Sequence, residues 1–204
     1  MKNKVQKIIK QSIDFLGALI GIIILGPLFL IVAILIKLDS RGPVFFRYER
    51  IGKDGKPFKP FKFRTMIEGA IETGLGYNIA ENDERITRIG RFLRKWGIDE
   101  FPQLINVLRG EMSLVGPRPT LRYQVEKYND FQRKRLLMKP GITGWALIHG
   151  RNLPSWEERI KYDVWYVENW SLWLDFKISL KTLDLIFIKK EGVYGRGGVN
   201  DPFI

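Results

Sequence analysis

The chain has 204 residues, with 34 Lys and Arg against 22 Asp and Glu, a formal net charge of +12 that points to an anionic partner: lipid head groups, nucleic acid or phosphorylated metabolites. It has no cysteine, which excludes a disulfide framework, a thiolate zinc site and a thiol nucleophile. Its single histidine, His149, excludes a multi-histidine metal centre, so any metal must be one that oxygen ligands hold, such as Mg²⁺, Mn²⁺ or Ca²⁺.

From Phe15 to Ile36 the chain runs 22 residues without a charge. A helix of that length rises roughly 33 Å, enough for a hydrocarbon core of about 30 Å. Gly26-Pro27 interrupts the run near its middle: proline cannot donate to the helical ladder, and its ring clashes with the carbonyl four residues back. The segment therefore reads as two arms, 15–26 and 27–36, about a hinge at Gly26 and Pro27. Lys2, Lys4, Lys7 and Lys10 precede it; Lys37, Arg41, Arg47 and Arg50 follow it. Basic flanks stay cytoplasmic, and a re-entrant helix–break–helix hairpin in one leaflet keeps both flanks on one side. A kinked spanning helix and a buried core helix account for the same run. No small-residue cleavage site follows, so a signal peptide is not expected. This divides the chain into an anchor (1–38), one cytoplasmic domain (39–190) and a Gly-rich tail (191–204).

After the anchor, the Val-, Phe- and Tyr-rich stretch Pro43–Ile51 and the alternating Pro57–Met66 flank Lys53-Asp54-Gly55-Lys56; Asp-Gly between two such runs predicts a β-hairpin. Glu68–Arg85 reads as a loop. Thr87–Gly97 is a helix, with Ile89, Phe92, Leu93 and Trp96 on an apolar stripe. Its Arg88, Arg91, Arg94 and Lys95 form either a solvated face or a phosphate-binding one. Pro102–Arg109 is a second short helix. Leu121–Met138 reads as one charged helix stopped by Lys139-Pro140, and Gly141–Arg151 as turns and extended chain. Ser155–Lys190 is helical and aromatic. Its stripe of Phe176, Leu180, Leu183 and Phe187 suits either core packing or an amphipathic helix at the membrane interface.

Two local patterns carry chemistry. Asp99-Glu100 precedes Pro102: Asp as N-cap, Glu in the first turn and a tolerated Pro would explain the pair structurally. The same pair follows a four-cation helix, a field that keeps carboxylates ionised, able to bind Mg²⁺ beside phosphates or to attack phosphorus. Arg118 lies between Pro117 and Pro119, whose rings stiffen the backbone and present the guanidinium for bidentate phosphate recognition or for a structural ion pair.

Lys62-Phe63-Arg64-Thr65-Met66, Asp99-Glu100-Phe101-Pro102-Gln103-Leu104, Asn106-Val107-Leu108, Met112-Ser113-Leu114-Val115-Gly116-Pro117-Arg118-Pro119 and Pro140-Gly141-Ile142-Thr143-Gly144-Trp145 resemble the bacterial sugar transferase family, the small monotopic phosphoglycosyl transferases. The resemblance runs from the anchor to about residue 190. It implies transfer of a sugar-1-phosphate from a UDP-sugar to undecaprenyl phosphate, with UMP released and no nucleic acid involved, at the cytoplasmic face of a bacterial inner membrane. It implies Asp99 as the nucleophile that forms a phosphosugar–enzyme intermediate. Glu100 would support it, with Mg²⁺ at this pair. Lys62, Arg94, Arg118, Arg151 and Asp163 match the residues that handle the phosphates and nucleotide. It also implies a re-entrant helix broken at Pro27; many relatives have Ser where this chain has Gly26. No role for His149 follows from the family pattern. The expected fold is α+β: mainly helical, with a small β-hairpin, the re-entrant anchor and amphipathic interfacial helices. The competing function is a non-catalytic, membrane-anchored basic module that binds anionic lipid or polymer.

Overall fold

The computed structural model describes residues 4–73, 83–149 and 155–185. It opens with helix α1, Lys4–Asp39, 36 residues long. The two arms expected around Gly26-Pro27 are joined in one helix. Proline inside a helix costs about 3 kcal/mol, but apolar residues on both sides of it pack on the same body. Ala18, Ile22 and Leu25 meet Leu104, Val107 and Met112; Leu28, Phe29, Val32 and Ile36 meet Phe63 and Leu93. At roughly 1.5–3 kcal/mol for each apolar side chain buried, that packing outweighs the proline. The buried-core reading of this segment fails. Only 11% of its most apolar window is buried, and Leu16, Ile20, Ile23, Ile24 and Leu30 stay exposed. By length and composition α1 could cross a membrane.

Polar contacts pin both ends of α1 to the same domain. Near its start, Lys10 donates to Asp175 (2.7 Å) and to the Val115 carbonyl (3.0 Å), and Asp14 accepts from the Ser113 hydroxyl (2.8 Å) and the Leu114 N–H (3.0 Å). At its end, Asp39 accepts from the Ile89 N–H (2.9 Å), and Arg64 donates to the Ser40 carbonyl (2.7 Å).

The predicted hairpin forms in two antiparallel steps. Strand β1, Phe45–Phe46, pairs with β4, Lys62–Phe63; β2, Arg50–Ile51, pairs with β3, Pro57–Phe58. At the tip, Asp54 and Gly55 take φ of 57° and 75°, the left-handed values that tight hairpins demand and Asp-Gly supplies. Helix α2, Arg88–Trp96, is capped by the Thr87 hydroxyl and closed by left-handed Gly97. Leu93 is buried while Phe92 faces outward, so the stripe is half core. A tight 3₁₀ turn, Ile98–Gln103, then leads straight into α3, Leu104–Leu108.

Strands β5, Ser113–Val115, and β6, Gly141–Thr143, form a parallel pair. Just beyond β5 the two segments touch backbone to backbone. A Cβ on Gly116 would lie 2.4 Å from the Lys139 carbonyl, and one on Gly141 would lie 2.1 Å from the Gly116 nitrogen. No other residue fits at either position, and this close contact fixes the Pro117-Arg118-Pro119 segment in space.

The single charged helix expected over Leu121–Met138 is three pieces: α4, Arg122–Glu126, α5, Asp130–Arg133, and a 3₁₀ turn, Lys134–Leu137. Asn129 restarts the chain as an N-cap, in reciprocal bonds with Gln132. The extended chain expected after Gly141 is extended only through β6; α6, Trp145–His149, follows. Ser155–Lys190 contains two helices, α7, Trp156–Asn169, and α8, Leu172–Leu183, divided where Ser171 caps α8. On α8, Leu174 and Ile178 are buried while Trp173, Phe176, Leu180 and Leu183 are exposed. The expected stripe is thus an open apolar face rather than core. Phe187 and the tail lie outside the described residues.

Candidate active site

Three segments far apart in sequence meet at Glu100. Lys62 comes from β4, Arg118 from the proline-braced segment after β5, and Asp99-Glu100 from the 3₁₀ turn between α2 and α3. The N-cap explanation of the acidic pair does not hold. Gly97 occupies the cap position of this turn without a side-chain bond, and both carboxylates lie inside it, buried. Lys62 donates to Glu100 Oε1 at 2.8 Å, and Arg118 donates to the same oxygen at 3.4 Å.

The electrostatics follow from this packing. Burial alone would raise the Glu100 carboxyl, but Lys62 and Arg118, with a hydrogen bond from Gln103, outweigh it and pull the pKa down to about 2. Burial lowers the Lys62 ammonium below its ordinary value; Glu100 and Asp99 oppose the shift and Arg118 adds to it. Both cations keep a wet side: the Lys62 and Arg118 side chains are 22% and 34% exposed, against 8% for Glu100. The site can therefore hold an ionised Glu100 beside cations that an incoming anion can still reach.

The other expected site residues fall into three positions. Arg94 lies in the last turn of α2, its Nε donating to the Thr65 hydroxyl at 2.7 Å, two residues beyond the end of β4. Asp163 is not in the open cluster. It is fully buried on α7 and ion-paired with Arg135. Arg135 in turn donates to the Tyr128 hydroxyl (2.6 Å) and to the backbone carbonyl of Arg118 (3.0 Å). Asp163 thus bears on the site by holding the residue that holds Arg118. Arg151 lies outside the described residues.

Arg135 is the residue that sequence reasoning missed. Burial works against its guanidinium, yet Asp163 and Tyr128 outweigh that and hold its pKa above the ordinary value. No sequence signal separates it from Arg133 or Lys134 beside it. Gln103 was also missed, although it lies in the quoted Asp99–Leu104 motif. His149 bonds the Trp145 carbonyl through Nδ1 (3.0 Å), lies tilted against the Trp145 ring and stacks on Tyr162.

Among the described residues no group of three or more His, Asp or Glu side chains gathers to cage a metal. Asp99 and Glu100 do offer two neighbouring hard oxygen donors, which fits a Mg²⁺ held by one or two carboxylates with substrate oxygens completing its shell.

Comparison with known proteins gives the same direction. The family model described as bacterial sugar transferase matches residues 5–189. A sugar transferase of Bacillus subtilis (strain 168), EpsL, described as uncharacterized, is 43% identical over 186 residues, covering 91% of this chain and 90% of its own length. The UDP-galactose-lipid carrier transferase of Erwinia amylovora is 41% identical over 202 residues, covering 92% of this chain and 42% of its own. The UDP-glucose:undecaprenyl-phosphate glucose-1-phosphate transferase of Escherichia coli (strain K12) is 39% identical over 194 residues, covering 91% and 42%. The chain thus spans nine tenths of the first relative and less than half of the other two.

Proposed function

Since the chain belongs to the bacterial sugar transferase family, we propose that it transfers a sugar-1-phosphate from a UDP-sugar to undecaprenyl phosphate, releasing UMP and starting a membrane-associated glycan. The observation that carries this reading is the convergence of Lys62 and Arg118 on Glu100, beside the buried Asp99. A carboxylate next to two reachable cations is suited to attack phosphorus, because the same cations offset the charge that redistributes on the phosphoryl oxygens.

In the proposed reaction an Asp99 carboxylate oxygen attacks the β-phosphorus of the donor. The new O–P bond forms as the bond to the UMP oxygen breaks, and UMP leaves with the electron pair. A phosphate oxygen of the carrier lipid then attacks the same phosphorus, giving the polyprenyl diphosphate sugar and regenerating the Asp99 carboxylate. Glu100 holds Lys62 and Arg118 in place for both steps. Mg²⁺, held by Asp99 and Glu100, would add positive charge at the diphosphate when bound.

The geometry also supports an anchor in one leaflet. The polar contacts at Lys10 and Asp39, roughly 44 Å apart by helical rise, are both made to one domain, which a helix with its ends in opposite compartments could not do. Cysteines at Lys4 and Arg41, both exposed, should react with an impermeant maleimide from the cytoplasmic side alone; labelling from opposite sides rejects the single-leaflet anchor.

The decisive test uses radiolabelled UDP-sugars with purified protein and no carrier lipid. A covalent adduct should form at Asp99 with one donor. Asp99→Asn should lose the adduct and slow UMP release by about 10³-fold or more, with membrane attachment unchanged. Near-normal UMP release from Asp99→Asn rejects Asp99 as nucleophile and returns the chain to a binding role.

A further inference from the structure

A cavity of about 500 Å³, within the range of ligand sites, lies beside the first turns of α1, and none of Lys62, Arg94, Asp99, Glu100 or Arg118 lines it. Its wall carries four cations, Lys7, Lys10, Lys53 and Lys139, and two carboxylates, Asp14 and Glu168. Each carboxylate is already engaged. Asp14 accepts from Ser113 and the Leu114 N–H, and Glu168 pairs with Lys134 at 2.7 Å. Lys10 is matched by Asp175. Lys53 has Asp54 at 3.6 Å, a half-exposed contact that contributes little. Lys7 and Lys139 make no ion pair among the described residues.

The result is a pocket with excess positive charge that the fold does not neutralise. Lys139 registers it: burial lowers its ammonium below the ordinary value, and Lys53 and Lys10 lower it further against the pull of Asp14. An anion between these lysines would relieve that repulsion.

The rim indicates what the anion is attached to. Immediately after Asp14, α1 turns apolar, with Phe15, Leu16 and Leu19 exposed. Leu137, exposed, and Trp170 line the cavity, and exposed Trp173 follows on α8. Along α1 the charged turns that line the cavity thus give way to exposed apolar ones, the profile of a head group below and acyl chains beside it. We propose that this cavity binds the phosphate head group of an anionic phospholipid, separately from the reaction site.

The test is native mass spectrometry of the full chain released from detergent micelles, titrated with phosphatidylglycerol, phosphatidylcholine or inorganic phosphate. Phosphatidylglycerol should be retained about tenfold more tightly than phosphatidylcholine, and Lys7→Gln/Lys53→Gln/Lys139→Gln should erase that preference. If the triple variant does not fold, Lys7→Gln/Lys53→Gln, which alters two accessible side chains, should still weaken retention by about threefold. Unchanged retention in a folded variant, or equal retention of phosphatidylcholine, overturns the proposal. Inorganic phosphate binding as tightly as the lipid makes this a free-anion site and overturns the lipid assignment. Stoichiometric displacement of phosphatidylglycerol by undecaprenyl phosphate gives the cavity to the carrier and overturns it too. None of these readouts needs turnover, so they stand apart from the outcome at Asp99.

Discussion

Arg118 joins two clusters of paired charge. Its guanidinium donates to Glu100, which also accepts from Lys62, on one side; its backbone carbonyl accepts from Arg135, which is paired with Asp163 and Tyr128, on the other. Both clusters bury a carboxylate against a cation, and they differ in access to water. The Arg135 and Asp163 side chains are 1% and 2% exposed, whereas Lys62 and Arg118 keep about a fifth to a third of their side-chain surface wet. A fully enclosed ion pair has nothing left to offer a ligand and serves to fix backbone. A half-open one can exchange water for phosphate. Burial, not charge type, separates the enclosed cluster from the open one.

The largest effect expected from this contrast is at Arg135. Replacing it with Leu leaves the Asp163 carboxylate buried without its partner, which costs about 3–5 kcal/mol. Denaturant unfolding in detergent should show that loss, and removing both charges in Arg135→Leu/Asp163→Leu should restore most of it. A loss below about 1 kcal/mol would mean that the enclosed pair does not hold the fold and would break the comparison.

The open cluster should respond the other way. Lys62→Met removes a charged hydrogen bond worth about 1.5–3 kcal/mol. The loss should appear chiefly as a fall of roughly 10- to 100-fold in kcat/KM for UMP release, with a smaller loss of stability than at Arg135, because Arg118 and Gln103 still hold the Glu100 carboxylate. A variant that unfolds while the surviving fraction turns over normally would move Lys62 into the structural group.

The contrast also explains which parts of the molecule the sequence reveals. The Asp54-Gly55 turn and the Thr87–Gly97 helix are legible because their determinants are local: left-handed residues, a hydroxyl cap, a closing glycine. The break at Asn129 carries its own signal, the Asn129–Gln132 capping box, but the run of charges around it reads as one helix. Helix α6 spans five residues, too few to show a period. Asp99-Glu100 and Arg118 stand out because their prolines and acids are adjacent in sequence. That Lys62 pairs with Glu100, 38 positions away, is a tertiary fact. Asp163, expected among the site residues, lies buried against Arg135, a placement set by how α7 packs and not by any neighbour in sequence.

The smallest expected effect is a difference in acid sensitivity, and its sign follows from Glu100. Its carboxyl, ordinarily at 4.5, lies at about 2 in the folded chain. A depressed folded-state pKa contributes stability that is present above 4.5 and drains away as the pH falls toward 2. Glu100→Gln cannot titrate and lacks that contribution at every pH. Between pH 6 and pH 3 the wild-type chain should therefore lose about 1–2 kcal/mol more than the variant, read as converging unfolding midpoints in urea. Asp163, enclosed with Arg135, belongs to the background that both proteins share. If the two curves stay parallel, Lys62 and Arg118 do not hold Glu100 ionised through the acid range, and the open cluster loses the electrostatic grip that distinguishes it from a row of surface charges.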